Sequence, residues 1–258
     1  MNSQAVVLIT GASSGIGRAL ALHYARQQQR VIVTARRVAL LDELAEAIRA
    51  AGGQAVPLAC DVSEAAQVRA MIAQAHAAFG RIDLALLNAG ISEPTDANAF
   101  AAASFERMVQ TNLLGVAYGL EALIPLLQAQ APRGGQIAVV SSLAADRGMP
   151  GSAGYSATKA GVTALCEGMR AHLAEGGIRL VTIAPGYVHT PMTERFKHRP
   201  FLMTAEKAAV LIARRLARGD RTIRFPFIPA LFTWCLRMLP AVLFDAVMGH
   251  QRQAKRGD

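Results

Sequence analysis

Thr10-Gly11-Ala12-Ser13-Ser14-Gly15-Ile16-Gly17 is the stretch whose reading decides the fold. It follows an apolar run at residues 5–10 and opens directly into a segment of helical period at residues 15–29. Its glycines permit a tight turn and a close approach of the backbone to a pyrophosphate. A helix that starts at such a turn adds free N–H groups and the positive end of its dipole, both of which favour a phosphate. The pattern carries this meaning only with a strand before it, a helix after it and a second strand about 20 residues on. Residues 31–34 supply that second strand.

Outward from the turn, short apolar runs at residues 5–10, 31–34, 55–60, 82–87, 136–140, 178–184 and 222–225 alternate with helical periods at 15–29, 40–51, 64–79, 105–130, 155–174 and 205–217. Alternation of this kind predicts βαβ repetition and a parallel sheet covered by helices on both faces. The expected fold is α/β, a doubly wound parallel sheet (Rossmann fold). One domain spans residues 1–224, followed by an apolar helical extension at 225–258. Ligands of such sheets bind beyond the carboxyl ends of the strands, so the residues after each run are the ones to inspect.

Charge and composition narrow the function classes. Residues 1–194 hold 14 basic and 14 acidic side chains, and residues 195–258 hold 13 and 4, so the whole formal charge of +9 sits in the last quarter. No interleaved aromatics or reading motif accompany it, and nucleic-acid binding is not expected. Cys60, Cys166 and Cys235 are too few and too scattered for a disulfide framework, which fits a reducing cytoplasm. The start of the chain lacks a basic segment leading into a signal-peptide core. The six histidines lack ligand spacing, and no transition-metal site is expected.

The second strand ends in Ala35-Arg36-Arg37, where an NAD-preferring site would carry an acidic residue for the ribose hydroxyls. Two guanidiniums suit a 2′-phosphate instead, because their planar forks bind phosphate bidentately. The expected cofactor is NADP(H).

Seven short patterns in register resemble the short-chain dehydrogenase/reductase family over nearly all of residues 5–195. The glycine pattern TGxxxGxG falls on residues 10–17, with Gly11, Ser13, Ser14, Gly15, Ile16 and Gly17 as cofactor contacts. The adenine-contact pair matches Asp61-Val62, the NAG element Asn88-Ala89-Gly90, and the PG element Pro185-Gly186. The family's asparagine falls on Asn112, its serine on Ser142 and its YxxxK on Tyr155-Ser156-Ala157-Thr158-Lys159. Leu87 departs from the pattern where a further asparagine is often found. The resemblance implies hydride transfer between NADP(H) and a carbonyl or secondary alcohol. It also implies nicotinamide contacts from Val188 and Thr190, ribose contacts from Lys159, and a relay water steadied by Asn112. Homodimers or homotetramers pairing on the helices at 105–130 and 155–174 follow from the same resemblance.

The residues themselves support that chemistry. Tyr155 and Lys159 stand at i and i+4 on one helix face, and an ammonium beside a phenol favours the phenolate. Tyr155 then serves as general acid in reduction and general base in oxidation. Ser142 ends the fifth strand and can hydrogen-bond the reacting oxygen, while Ser141 points to the other side of an extended segment. His189 reads as a loop residue facing solvent or substrate. A non-catalytic NADP(H)-sensing protein of the same fold is the alternative, against which the presence of both Tyr155 and Lys159 argues.

Residues 192–203 form a mixed loop, expected by resemblance to close over substrate, with Phe196, Phe201, Leu202 and Met203 as apolar walls. Beyond it, helices at 230–239 and 241–249, the second opened by Pro240 at its first position, are apolar nearly all round. Their polar stripes are Thr233 with Arg237 and Asp245 with Arg252. A membrane span is not expected, since Pro240 cuts the stretch and Arg237 and Asp245 charge it. Two options stay open: packing against the protein, and peripheral contact with an anionic membrane surface.

Overall fold

The computed structural model describes residues 4–130 and 134–246. Seven parallel strands form one sheet in the order β3-β2-β1-β4-β5-β6-β7. They are β1 Val6–Thr10, β2 Arg30–Ala35, β3 Gln54–Ala59, β4 Leu84–Leu87, β5 Gly135–Val140, β6 Ile178–Pro185 and β7 Thr222–Phe225. The helices are α1 Gly15–Arg26, α2 Val38–Ala50, α3 Ala65–Phe79, α4 Ala102–Val109, α5 Gly115–Ala129, α6 Ala153–Glu175, α7 Ala205–Ala217 and α8 Phe227–Met238. This is the doubly wound Rossmann-like sheet expected from the alternation.

Both faces of the sheet are covered, which is why its strands read as continuous apolar runs. In β1, Val7 and Ile9 point to the side occupied by Leu20 of α1, Leu41 of α2 and Ile212 of α7. Val6 and Leu8 point to the other side, against Val68 of α3, Leu120 of α5 and Val162 of α6. Successive strand residues alternate between the two layers, so one slip in register would exchange the cores. The strand order reverses between β1 and β4, and a crevice opens there at the carboxyl ends.

The helix expected at 105–130 departs from a regular spiral. It runs through α4, a π-helical turn at Gln110–Leu114 and α5. The widened turn places Asn112 fully inside the protein, and single π turns of this type occur mostly at functional sites.

The extension differs from its reading in two respects. The first of its helices, α8, begins at Phe227, earlier than residue 230. The second begins at residue 241, with Pro240 one position ahead of the helix, where its carbonyl accepts the first bond from Phe244 N at 3.1 Å. Residues 247–249 and Arg252, the second member of one polar stripe, lie outside the described residues. Thr233 turns inward, donating to Asp146, which also pairs with Arg224.

Candidate active site

The site is anchored by Thr10, the last residue of β1. Its hydroxyl accepts from Asn88 N at 2.9 Å and Ala89 N at 3.0 Å, while the Asn88 amide donates to Thr10 O at 2.9 Å. The NAG element thus ties the end of β4 onto the glycine turn. Gly11 takes φ +67°, and a methyl group there would lie 2.8 Å from Ala89 Cα. One on Gly17 would lie 2.5 Å from Gly11 O and 2.7 Å from Asn88 Nδ2. Neither position accepts a side chain.

Helix α1 starts beside this lock with Ser14 at its N-cap, and no side chain caps its first N–H groups. Arg37, arriving from β2, reaches across the turn: its Nε and Nη2 donate to Ser13 Oγ at 3.2 and 2.9 Å, and Nη2 also donates to Ser14 Oγ at 2.9 Å. Arg36 lies 3.7 Å from Asp61, whose carboxylate accepts from the Ser63 backbone and hydroxyl. A single cleft of about 270 Å³ runs from Arg36 and Arg37, past the glycine turn, Asp61, Val62 and the NAG element, to Ser142, Tyr155 and Lys159. Pro185, Gly186, Val188 and Thr190 line its far wall. An uncapped helix start, guanidiniums at one end and a dense polar cluster at the other fit a dinucleotide lying along the strand ends.

At the reactive end the structure brings together Asn112, Ser142, Tyr155 and Lys159, but not by direct pairing alone. Lys159 Nζ donates to Val140 O at 2.8 Å and stands 5.8 Å from the centre of the Tyr155 ring. Burial pulls this ammonium down to about 8. A methyl group on Gly90 would lie 3.1 Å from Asn112 Oδ1 and 3.4 Å from Lys159 Nζ, so the glycine keeps open the space these two groups share. The Asn112 side chain accepts from Ile91 N at 2.8 Å and donates to Ile91 O at 2.9 Å and Thr158 Oγ1 at 3.1 Å. Both amide hydrogens are therefore committed, and a water beside Lys159 could draw on this side chain only through Oδ1.

Ser142 Oγ accepts from Ala144 N at 3.1 Å, capping the 3₁₀ turn Leu143–Ala145. Ser141 turns to the opposite side, donating to Lys159 O at 3.0 Å. The strand alternation read from the sequence separates the two serines in this way. His189 is exposed and lies outside the cleft lining.

The i, i+4 spacing of Tyr155 and Lys159 predicts a phenol shifted toward its ionised form; the structure shifts it the other way. The phenol is raised above the ordinary tyrosine value because the surrounding protein desolvates the phenolate; the Ser142 hydrogen bond and the charge of Arg195 act in the opposite sense. Arg195 belongs to the loop at 192–203. Its Nη1 and Nη2 donate to Ser92 O and Ser92 Oγ, at 2.5 and 2.6 Å, and its guanidinium lies over Phe196. The loop is thereby latched to the segment after Gly90, with a cation held near the phenol. Its base is fixed by His189 N donating to Met203 O at 2.8 Å and by Thr193 Oγ donating to Val188 O at 2.7 Å. Phe201, two residues before Met203 at that base, takes φ +56°, a costly conformation for an aromatic residue, and stands exposed. No sequence motif marks Ser92 or Arg195, because the contact spans 103 residues.

A parallel sheet with a glycine lock at its switch point and a tyrosine, a lysine and a serine at its reactive end defines a dinucleotide-dependent oxidoreductase. A family model described as short chain dehydrogenase matches residues 5–200, and the chain belongs to that family. It is 37% identical over 245 residues to an uncharacterized oxidoreductase of Myxococcus xanthus (strain DK1622), covering 95% of this chain and 96% of the relative. It is also 37% identical to levodione reductase of Leifsonia aquatica over 198 residues, 73% of this chain and 71% of that one. A crystal structure of a short chain dehydrogenase/reductase from Burkholderia phymatum in complex with NAD superposes with TM-score 0.84 at 25% identity, covering 91% of this chain and 92% of that one. The protein is an oxidoreductase of alcohol and keto groups.

Arg195→Ala removes a cation that favours the phenolate, so the Tyr155 pKa should rise further. With Tyr155 as the base expected from the sequence, the rising limb of alcohol oxidation should move to higher pH than in the wild type. An unmoved limb in the pH–rate profile would show that Arg195 does not tune the site.

Proposed function

We propose that the protein is an NADP(H)-dependent reductase of apolar ketones or aldehydes, or the corresponding alcohol dehydrogenase. The single observation that carries the reading is the continuous cleft joining the Arg37–Ser13–Ser14 cluster to Tyr155, Ser142 and Lys159. Gly11, Ser13, Ser14, Gly15, Ile16 and Gly17 would hold the pyrophosphate side, Asp61 and Val62 the adenine, and Asn88, Ala89 and Gly90 the neighbouring ribose region. Lys159, Pro185, Gly186, Val188 and Thr190 would hold the nicotinamide half. NADP(H), when bound, supplies or accepts the hydride.

The chain's own residues manage the proton. Ser142 orients the substrate oxygen, and its hydroxyl stabilises the charge that develops there. Tyr155 donates its phenolic proton to that oxygen in reduction and takes it back in oxidation. Its raised pKa suits the acid role, since the phenol is then fully protonated at neutral pH. Lys159, near 8, is poised to carry charge beside it and to exchange a proton near neutral pH. Asn112, locked to Ile91 and Thr158, fixes the backbone that frames this exchange. Met192 from the loop at 192–203 lines the cleft and favours an apolar substrate, and one relative is named for the reduction of levodione.

Residues 1–224 form the catalytic unit in this reading and 225–258 an extension. Three free thiols fit a reducing compartment such as the cytoplasm. Homodimers or homotetramers form through α6 and the composite helix 102–129, whose most apolar 18 residues have a mean hydropathy of 1.3 and are only 39% buried. Light scattering should give the mass of a dimer or tetramer at working concentration; a monomer would refute this pairing.

Two kinetic outcomes test the chemistry. Tyr155→Phe should cut turnover about 10²- to 10⁴-fold while NADPH binding, followed by fluorescence, stays near wild type; substantial residual turnover would mean that another acid serves. Wild type should prefer NADPH to NADH, and Arg37→Ala should raise the KM for NADPH about tenfold or more with little change for NADH. Equal efficiency with both cofactors, unaltered by Arg36→Ala or Arg37→Ala, would overturn the NADP(H) assignment.

A further inference from the structure

Helix α8 has two apolar faces, and the fold covers one of them. Ala230 packs against Leu143 and Ala184, and Leu236 is buried on the same side. Phe227, Leu231, Trp234 and Met238, spaced by four, three and four residues, form an outward stripe, with Ile228 and Phe232 beside it. Phe227 is 77% exposed and Trp234 52%. Val242 and Leu243 continue the exposure after Pro240. Eight of the fourteen exposed large apolar side chains among the described residues thus fall within residues 227–243. Single exposed apolar residues are ordinary, whereas a contiguous stripe marks a surface that something covers.

The helix is held firmly. Arg224 donates to Asp146, to Ala230 O at 3.2 Å and to Thr233 Oγ at 3.3 Å. Arg147 donates to Arg237 O at 3.4 Å and lies 4.5 Å over the Phe244 ring. Asp146 and Arg147 belong to the segment that directly follows Ser142. The outward stripe is therefore a fixed feature attached to the reactive end of the cleft.

Charge chooses the occupant. Arg237 is exposed beside the stripe, and the sequence that follows the described residues adds Arg252, Lys255 and Arg256 against Asp258, with Asp245 the one further acid after residue 224. A helix of 12 residues is about 18 Å long, too short for a bilayer core of about 30 Å. Aromatic and aliphatic side chains on one face, with the Arg237 cation beside them and a net basic sequence following, match a helix lying in the plane of a lipid surface. We propose that α8 docks this protein on an anionic lipid surface by shallow insertion of the Phe227–Trp234–Met238 stripe. The associated substrate class, carbonyl compounds dissolved in the bilayer, rests on the reductase reading above; the docking does not.

Trp234 is the only tryptophan of the chain, so its emission reports the stripe directly and needs no turnover. Full-length protein is mixed with phosphatidylcholine vesicles, with vesicles containing phosphatidylglycerol as well, and with none, and flotation is measured in parallel. Expected are a blue shift of Trp234 and co-flotation with the anionic vesicles only, both weakened by salt. Arg237→Ala should lower binding about fivefold, and Leu231→Gln with Phe232→Gln should abolish it while leaving reduction of a water-soluble ketone unchanged. The proposal fails if Trp234 does not respond to anionic vesicles, or if neutral vesicles bind equally well. It also fails if the blue shift grows with protein concentration in the absence of lipid, which would identify a second copy of the chain as the cover. A reductase-inactive protein that still floats would separate failure of the activity reading from failure of the docking.

Discussion

The contact between Thr10 and the Asn88-Ala89 backbone is the constraint on which the site depends. Strand order reverses between β1 and β4, so the two strand ends diverge into helices on opposite faces and leave a crevice. One hydroxyl and one carboxamide close the base of that crevice with three hydrogen bonds of 2.9–3.0 Å. The glycine turn sits against this lock so tightly that a side chain on Gly11 or Gly17 would collide with backbone or with Asn88. Beyond the lock, Gly90 leads to Ile91, which holds Asn112, and on to Ser92, which holds Arg195. A single strand end therefore sets the cofactor turn, the buried asparagine and the substrate loop.

Electrostatics at the reactive end follow from how much water the fold removes. Tyr155 and Lys159 are both displaced toward their neutral forms by desolvation. The groups that favour the phenolate, the Ser142 hydrogen bond and the Arg195 charge, come from outside the helix that carries the pair. Ser142 comes from the end of β5, and Arg195 comes from the loop after β6. Tyr155 is thus tuned by two elements that the chain brings together only through the sheet. Movement of that loop would alter the charge at Tyr155 as well as access to it.

Much of this was legible in the residues, for identifiable reasons. Parallel strands buried on both faces must be apolar throughout, so β1, β4 and β5 stood out as runs. The glycine turn, the NAG and PG elements and YxxxK are local, because each performs its task within a few residues of backbone. Alternation along an extended segment was enough to part Ser141 from Ser142. Boundaries were less legible. Proline at position 240 reads as the first residue of a helix, yet in the structure it lies one residue earlier, where its carbonyl still serves the first turn. The π turn at Gln110–Leu114 was not legible, because residues 105–130 read as one unbroken helical period.

The sequence by itself determined the doubly wound sheet, the position of the dinucleotide turn and the tyrosine, lysine, serine and asparagine of the reactive end, because each rests on short-range spacing or on strand period. Tertiary structure alone decided how those groups interact. It gave Lys159 a carbonyl partner at Val140, committed both amide hydrogens of Asn112, and brought Arg195 within reach of Tyr155 across the Ser92 latch. It also decided that α8 keeps one apolar face outward. A helical wheel shows that both faces are apolar, but which face the Leu143–Arg147 segment covers depends on contacts made 87 and 90 residues away in the chain. Long-range contacts carry no local signature, and that is the physical limit on what the residues alone disclose.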